Sequence, residues 1–218
     1  MATPARSAVL GDGGLAALLA CATLAERTRD ARKGLLVFAP GTPEDALRLA
    51  ACRRQAGHYG LDLIAIEPLG HIGWSVSERC VGSLVHAAHA AARAGASELI
   101  WPVQPGSSDG ASWPDVDQMA AQVDRALLVE RLVSLDAPDH GMHDFRIRTP
   151  FLDLSDRQMA DLATDMGVDP EMCWWWSDDR DDAVTERKRW FEALRSFGWQ
   201  HLPTTETGAR ASPAFGNA

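Results

Sequence analysis

The chain has 218 residues, 46% of them hydrophobic and 23% charged, which is enough for one well-buried core and short for two full domains. Its formal net charge of -9, with no Lys/Arg-rich block, excludes a protein held mainly by a nucleic-acid backbone, because that affinity comes from neutralising phosphates. The N-terminus has no basic segment followed by a long apolar core and a cleavage site, and no stretch reaches the length of a membrane span, so a cytoplasmic location is expected.

The first predicted elements are a strand ending at Val9-Leu10, the turn Gly11-Asp12-Gly13-Gly14, and an Ala/Leu-rich helix from Leu15 to Arg29. This is the local architecture that cradles phosphate, where free backbone amides and the helix dipole face an anion. The loop contains no hydroxyl, Lys or Arg, and Asp12 places a negative charge where a polyphosphate would sit. The glycines also have a purely structural reading, as a turn that the strand-to-helix corner needs.

An apolar strand is predicted over Gly34 to Phe38, a helix over Pro43 to His58 started by Thr42 and Pro43, and a strand over Leu61 to Ile66. A long helix is predicted from Ser77, as its cap, to Ala94, closed by Gly95, ahead of a strand over Glu98 to Val103. Gln104 to Asp115 reads as a Pro/Gly/Ser loop, Val116 to Ser134 as a helix, and Phe145 to Leu152 as a strand broken by Pro150. Ser155 is placed to cap the next helix.

Strands separated by crossover helices of this length imply an α/β fold with a doubly wound, mostly parallel sheet and right-handed connections. Ligands in such sheets bind beyond the C-terminal strand ends, where the Gly13-Gly14 turn, the Ala39-Pro40-Gly41 turn and the Gln104 to Asp115 loop all fall. The chain is expected to divide into an α/β domain over 1–170, a Trp-rich helical appendage over 171–203 and a disordered tail over 204–218.

Cys21, Cys52, Cys80 and Cys173 form no CxxC pair and read as buried free thiols. His86 and His89, one helical turn apart, read as a packing pair rather than metal ligands. The loop Asp139 to Asp144 and the four aspartates of Ser177 to Asp182 read as solvated turns.

Two segments, in the same order, carry a resemblance. Asp12-Gly13-Gly14-Leu15-Ala16-Ala17 stands where the 7-cyano-7-deazaguanine synthase family of PP-loop ATP pyrophosphatases has Ser-Gly-Gly-x-Asp-Ser. Ile147-Arg148-Thr149-Pro150-Phe151-Leu152-Asp153-Leu154-Ser155 closely resembles the family's Thr-Pro-Leu-Ile-Asp-Leu-Ser/Thr stretch. There it leads into a helix ending in Leu-Gly-Val, and here into one ending in Met166-Gly167-Val168. Arg79 resembles the Arg of the family's Gly-Arg-Asn, and Trp113-Pro114-Asp115 resembles its Tyr-Pro-Asp. The resemblance spans about residues 8 to 200 and implies an adenine nucleotide alpha-hydrolase-like fold. It also implies a reaction in which ATP activates the carboxylate of 7-carboxy-7-deazaguanine, pyrophosphate leaves, and ammonia is used to make a nitrile.

The departures from the family pattern bear on activity. The two hydroxyl positions read Asp12 and Ala17, and the loop Asp reads Ala16. Losing one preorganised donor costs about a hundredfold or more in rate, so three losses and an added like charge imply little turnover. Of the family's four zinc cysteines only Cys173 remains, in Glu171-Met172-Cys173-Trp174-Trp175-Trp176, and no zinc is expected. The three tryptophans, with Trp190, Phe191, Phe197 and Trp199, are expected to replace the metal staple with buried apolar area. The competing reading is an aromatic platform for a base or a partner.

The nucleotide-loop remnant is Asp12, Gly13, Gly14 and Leu15, and the candidate substrate-facing residues are Arg79, Trp113, Asp115 and Asp153. Arg79 is suited to pairing a carboxylate, and Asp115 or Asp153 to accepting hydrogen bonds from a purine-like ring; a salt bridge or helix cap is the structural alternative for each. No residue is assigned a catalytic role. The expectation is a synthase-like protein that has lost ATP-dependent catalysis and acts as a binding or assembly subunit, as a homodimer or paired with an active relative. No cofactor is expected, with ATP and Mg²⁺ entering only if the altered loop still binds. The alternative is an active ATP-dependent ligase or amidating enzyme on a 7-carboxy-7-deazaguanine-like substrate, with an altered site.

Overall fold

The computed structural model describes residues 6–28, 33–40, 45–68, 75–104, 115–136 and 144–199, apart from the side chains of residues 76 and 77. Strands and helices alternate through β1 (Arg6–Gly11), α1 (Leu15–Arg27), β2 (Leu35–Phe38), α2 (Ala46–Tyr59), β3 (Asp62–Ala65) and α3 (Val76–Arg93). They continue through β4 (Ala96–Ile100), α4 (Val116–Asp136), β5 (Arg146–Arg148), α5 (Asp156–Asp165), a 3-10 turn at Pro170–Met172 and α6 (Asp181–Arg195). The strands pair in parallel in the order β3-β2-β1-β4-β5. This is the doubly wound α/β arrangement expected from the alternation.

Both faces of the sheet are covered, and the period-2 geometry of strands shows how. Ala8, Leu35, Val37 and Leu99 face a core built with Leu84 and Ala88 of α3 and Val129 and Val133 of α4. Their neighbours Val9, Leu36, Phe38 and Ile100 face the opposite core, built with α1, α2, Met159 and Ala163 of α5, and α6. Trp174, Trp175, Trp190 and Phe191 lie buried in that second core, so the Trp-rich segment packs as core against α1 and α5. Burying each such side chain contributes about 1.5–3 kcal/mol. His89 ties α3 to α4, its Nε2 lying 3.0 Å from Asp136 Oδ2, in keeping with a packing role.

Several local expectations need correction. The cap of α3 is Ser75, not Ser77: its hydroxyl accepts from the Glu78 amide at 3.2 Å, and Glu78 accepts from the Ser75 amide at 2.7 Å. Glu78 stands three residues after Ser75, where a capping box needs it, whereas Ser77 has Cys80 there. The Ser75 hydrogen bonds hold the Glu78 carboxyl below its ordinary range. Cys80, on that exposed first turn, is exposed rather than buried.

β4 ends at Ile100 rather than Val103, although Trp101 still donates its amide to Arg148 O at 2.7 Å. The strand expected over Phe145 to Leu152 is only Arg146–Arg148, because Pro150 has no N–H for a ladder and the chain turns through Phe151–Asp153. Ser155 does cap α5, in a second capping box with Gln158. The helix start at Thr42-Pro43, Gly41, most of the Gln104 to Asp115 loop, the segment Asp139 to His143 and the 204–218 tail lie outside the described residues. No helix among the described residues is long and apolar enough to cross a membrane.

Candidate functional site

The sheet order reverses between β1 and β4, whose following helices lie on opposite faces, and the crevice of a doubly wound sheet opens there. β1 delivers the Asp12–Gly14 turn directly to this point. Its conformation is closed on itself. Asp12 Oδ1 accepts a hydrogen bond from the Gly14 amide at 2.8 Å, so the carboxylate occupies a donor at the mouth of α1 that an anion would need.

α2 and the Trp-rich segment clamp the same turn. Arg48 of α2 places Nη1 3.9 Å from Asp12 Oδ2 and Nε 3.7 Å from Asp45 Oδ1. Its guanidinium also lies 4.0 Å from the centre of the Trp174 ring, within cation–π range. The Trp174 amide donates to Gly13 O at 3.0 Å, and Gln55 Nε2 donates to the same carbonyl at 3.1 Å. Arg180 also approaches Trp174, 6.0 Å from the ring centre, and is itself paired to Asp178 Oδ2 at 2.6 Å. Asp178 is thus drawn into an ion pair rather than simply solvated.

Gly13 shows why the turn keeps a glycine. Its φ is +76°, and a Cβ there would stand 2.8 Å from both Ala51 Cβ and Arg48 O of α2. Gly13→Ala is expected to cost about 2 kcal/mol or more, read by urea unfolding, because left-handed strain and a clash with backbone add. A neutral result would mean that α2 yields freely at the loop.

Three thiols lie close enough to feel the loop's charge. Burial first, and the Asp12 carboxylate second, hold the thiols of Cys21, Cys52 and Cys173 above their ordinary value. They stay protonated at neutral pH, and a protonated thiol is neither nucleophile nor metal ligand. Among the described residues, no group of three or more His, Cys, Asp or Glu is arranged to hold a metal ion.

A second network closes the other wall. Gln104, just beyond β4, donates from Nε2 to Leu154 O at 3.0 Å and to Asp156 Oδ1 at 2.9 Å. Arg189 of α6 donates from Nε to Asp156 Oδ2 at 2.7 Å and from Nη2 to Asp156 Oδ1 at 2.6 Å, a bidentate pair, and also to Gln104 Oε1 at 3.0 Å. Asp156 is buried in the first turn of α5, where the helix dipole favours its charge. Burial is the largest single influence on the Arg189 charge and works against it, but the hydrogen bonds and negative charges of Asp156 and Glu186 together outweigh it and raise the guanidinium above its ordinary value.

The other sequence-predicted residues spread along the C-terminal edge of the sheet. Arg79 sits half-buried in the first turn of α3. Asp115 precedes α4 and accepts from the Asp117 amide at 2.9 Å, which is the helix-cap role. Asp153 is exposed in the turn between β5 and α5, and Trp113 lies outside the described residues. β3 and β5, which lead toward Arg79 and Asp153, are the two edge strands, separated by four inter-strand spacings, about 19 Å. Sequence reading missed Arg48, Gln55, Gln104, Asp156 and Arg189. These residues come from separate helices and loops, and only packing brings them together.

No protein-family model and no curated protein matches the chain by sequence. Among solved structures, the U34-tRNA thiolase NcsA from Methanococcus maripaludis, determined with its 4Fe-4S cluster, is similar with a TM-score of 0.50 at 10% sequence identity. The match covers 90% of this chain and 72% of that one. The likeness establishes the fold alone, an α/β sheet of five parallel strands in the order β3-β2-β1-β4-β5, Rossmann-like as in the adenine nucleotide alpha-hydrolase fold, with C-terminal helices.

Proposed function

We propose that the chain is a 7-cyano-7-deazaguanine synthase-like protein whose phosphate loop has become a structural joint, so that ATP-dependent catalysis is lost and the protein serves as a binding or assembly subunit. The observation that carries this reading is the hydrogen bond from the Gly14 amide to Asp12 Oδ1. A phosphate seated on the loop would have to displace that carboxylate or approach it as a like charge. Two unit charges 4 Å apart repel by about 4 kcal/mol at the effective dielectric of a protein surface, close to a thousandfold in affinity. Arg48 offsets part of this, but it is shared with Asp45 and stacked on Trp174. Ala16 and Ala17 supply no hydroxyl in return.

The family assignment draws on the Thr149 to Ser155 segment, which leads out of β5 and ends at the α5 cap. The proposed partners are a second copy or an active relative in the cytoplasm, and the proposed ligand class for the crevice is a purine-like small molecule held without zinc or Mg²⁺. The altered-enzyme reading draws on Arg48, whose guanidinium would face a bound phosphate once released from Asp12. Calorimetric titration with ATP and Mg²⁺ separates the two. No saturable heat is expected at micromolar to millimolar nucleotide, and saturable micromolar binding would sink the structural-joint reading.

A further inference from the structure

We infer that α4 is the interface of a two-fold symmetric homodimer, packed antiparallel against the same helix of a second copy about a point between Leu127 and Leu128. Six of the seven large apolar residues exposed among the described residues lie on this one helix: Val116, Val123, Leu127, Leu128, Leu132 and Leu135. Leu128 is 71% exposed. On the opposite side of α4, Ala126, Val129 and Val133 are buried, Val129 and Val133 in the core shared with the sheet and α3. At 3.6 residues per turn the exposed set therefore covers the face turned away from the core, along about 30 Å of helix. Isolated apolar side chains on a surface are ordinary, whereas a continuous stripe of this length marks an interaction surface.

The charges on this face identify the occupant. Its midline runs through Ala120, Asp124, the Leu127-Leu128 pair, Arg131 and Leu135. Asp124 and Arg131 are exposed, and neither forms a hydrogen bond or ion pair within the described chain. A two-fold interface must be complementary to itself, with each residue N-terminal of the centre meeting the one equally far C-terminal of it. About the Leu127-Leu128 point, Asp124 meets the partner's Arg131 and Arg131 meets the partner's Asp124. The same operation sets Ala120 against Leu135, small against large, and Val123 against Leu132, apolar against apolar. Sliding one copy by two helical turns either way would set Asp124 on Asp124 or Arg131 on Arg131. The charge pair thus selects register within an apolar seam, as a polar position does in a coiled coil.

This interface narrows the assembly role proposed above to self-association, and it stands apart from the state of the phosphate loop, since a dimer is compatible with either. Sedimentation velocity on the full chain at micromolar concentration is expected to show a dimer. Leu128→Glu should give a monomer with unchanged far-ultraviolet circular dichroism. Asp124→Arg, which faces Arg131 with a like charge, should weaken dimerisation about tenfold or more, and the swap Asp124→Arg with Arg131→Asp should restore it. A monomeric wild-type chain would overturn the inference, as would a dimer indifferent to Leu128→Glu and Asp124→Arg, or a charge swap that fails to restore what the single change lost. Nucleotide titration of the same sample reports separately on the loop.

Discussion

Replacing Trp175 with alanine is expected to lower the unfolding free energy by about 3–5 kcal/mol, the range for removing a buried aromatic from a packed core. Trp175 is 0% exposed and sits with its ring centre 6.0 Å from that of Trp176 and 6.4 Å from that of Phe191. Its carbonyl accepts from Arg187 Nε at 3.2 Å, and that same guanidinium also donates to the Asp178 carbonyl, so the residue anchors the turn before α6 from both ends. A cavity of indole size between α1, α5 and α6 would collapse only in part. Trp175 Nε1 is buried and has no hydrogen-bond partner, so Trp175→Phe removes an unpaired donor along with some volume. It should therefore cost clearly less than the alanine change. Equilibrium urea unfolding followed by near-ultraviolet circular dichroism reads both variants, and a loss under about 1 kcal/mol for Trp175→Ala would show that the Trp-rich segment is peripheral to the fold.

Arg189→Ala is the second large effect, expected at about 3 kcal/mol, because it strands the buried Asp156 carboxylate after removing a bidentate partner. For a chain of this length that corresponds to a fall in Tm of about 6–12 °C. Part of the loss is local to the site wall, since Gln104 keeps Asp156 and Leu154 O as partners but loses the Arg189 guanidinium. Removing both charges together, as Arg189→Met with Asp156→Leu, should cost less than Arg189→Ala alone, since no charge is then left unpaired in the interior. If the double variant is the less stable of the two, the pair is contributing net attraction that exceeds its desolvation cost, and the argument from a stranded carboxylate fails.

The parts of this molecule that were legible in the sequence are those set by local pattern. The apolar runs Leu35–Phe38 and Ala8–Leu10 read as buried strands because parallel strands covered on both faces are apolar on both faces. The Ser155 cap and the Gly13-Gly14 turn read correctly because capping and turn chemistry act over three or four residues. Ser75 is equally legible through Glu78 three residues on, a spacing that Ser77 lacks because Cys80 stands there.

What the sequence hid depends on packing between distant segments. Arg48 reads as one more polar residue of a helix face until the fold sets it between Asp12 and Trp174. Asp156 looks like an ordinary first-turn acid, and only the arrival of α6 makes it half of a buried pair. The apolar outer face of α4 is present in the sequence, but it becomes informative only when the opposite face is seen to be the buried one.

The central claim is that the Asp12–Gly14 turn is a closed structural joint rather than a pyrophosphate cradle, and its most direct test is turnover. The purified chain would be incubated with ATP, Mg²⁺, 7-carboxy-7-deazaguanine and ammonia, and pyrophosphate followed over time. No release above the protein-free control is predicted. Steady pyrophosphate release that disappears in Arg48→Ala would contradict the account and establish Arg48 as the cation of a working, rearranged site.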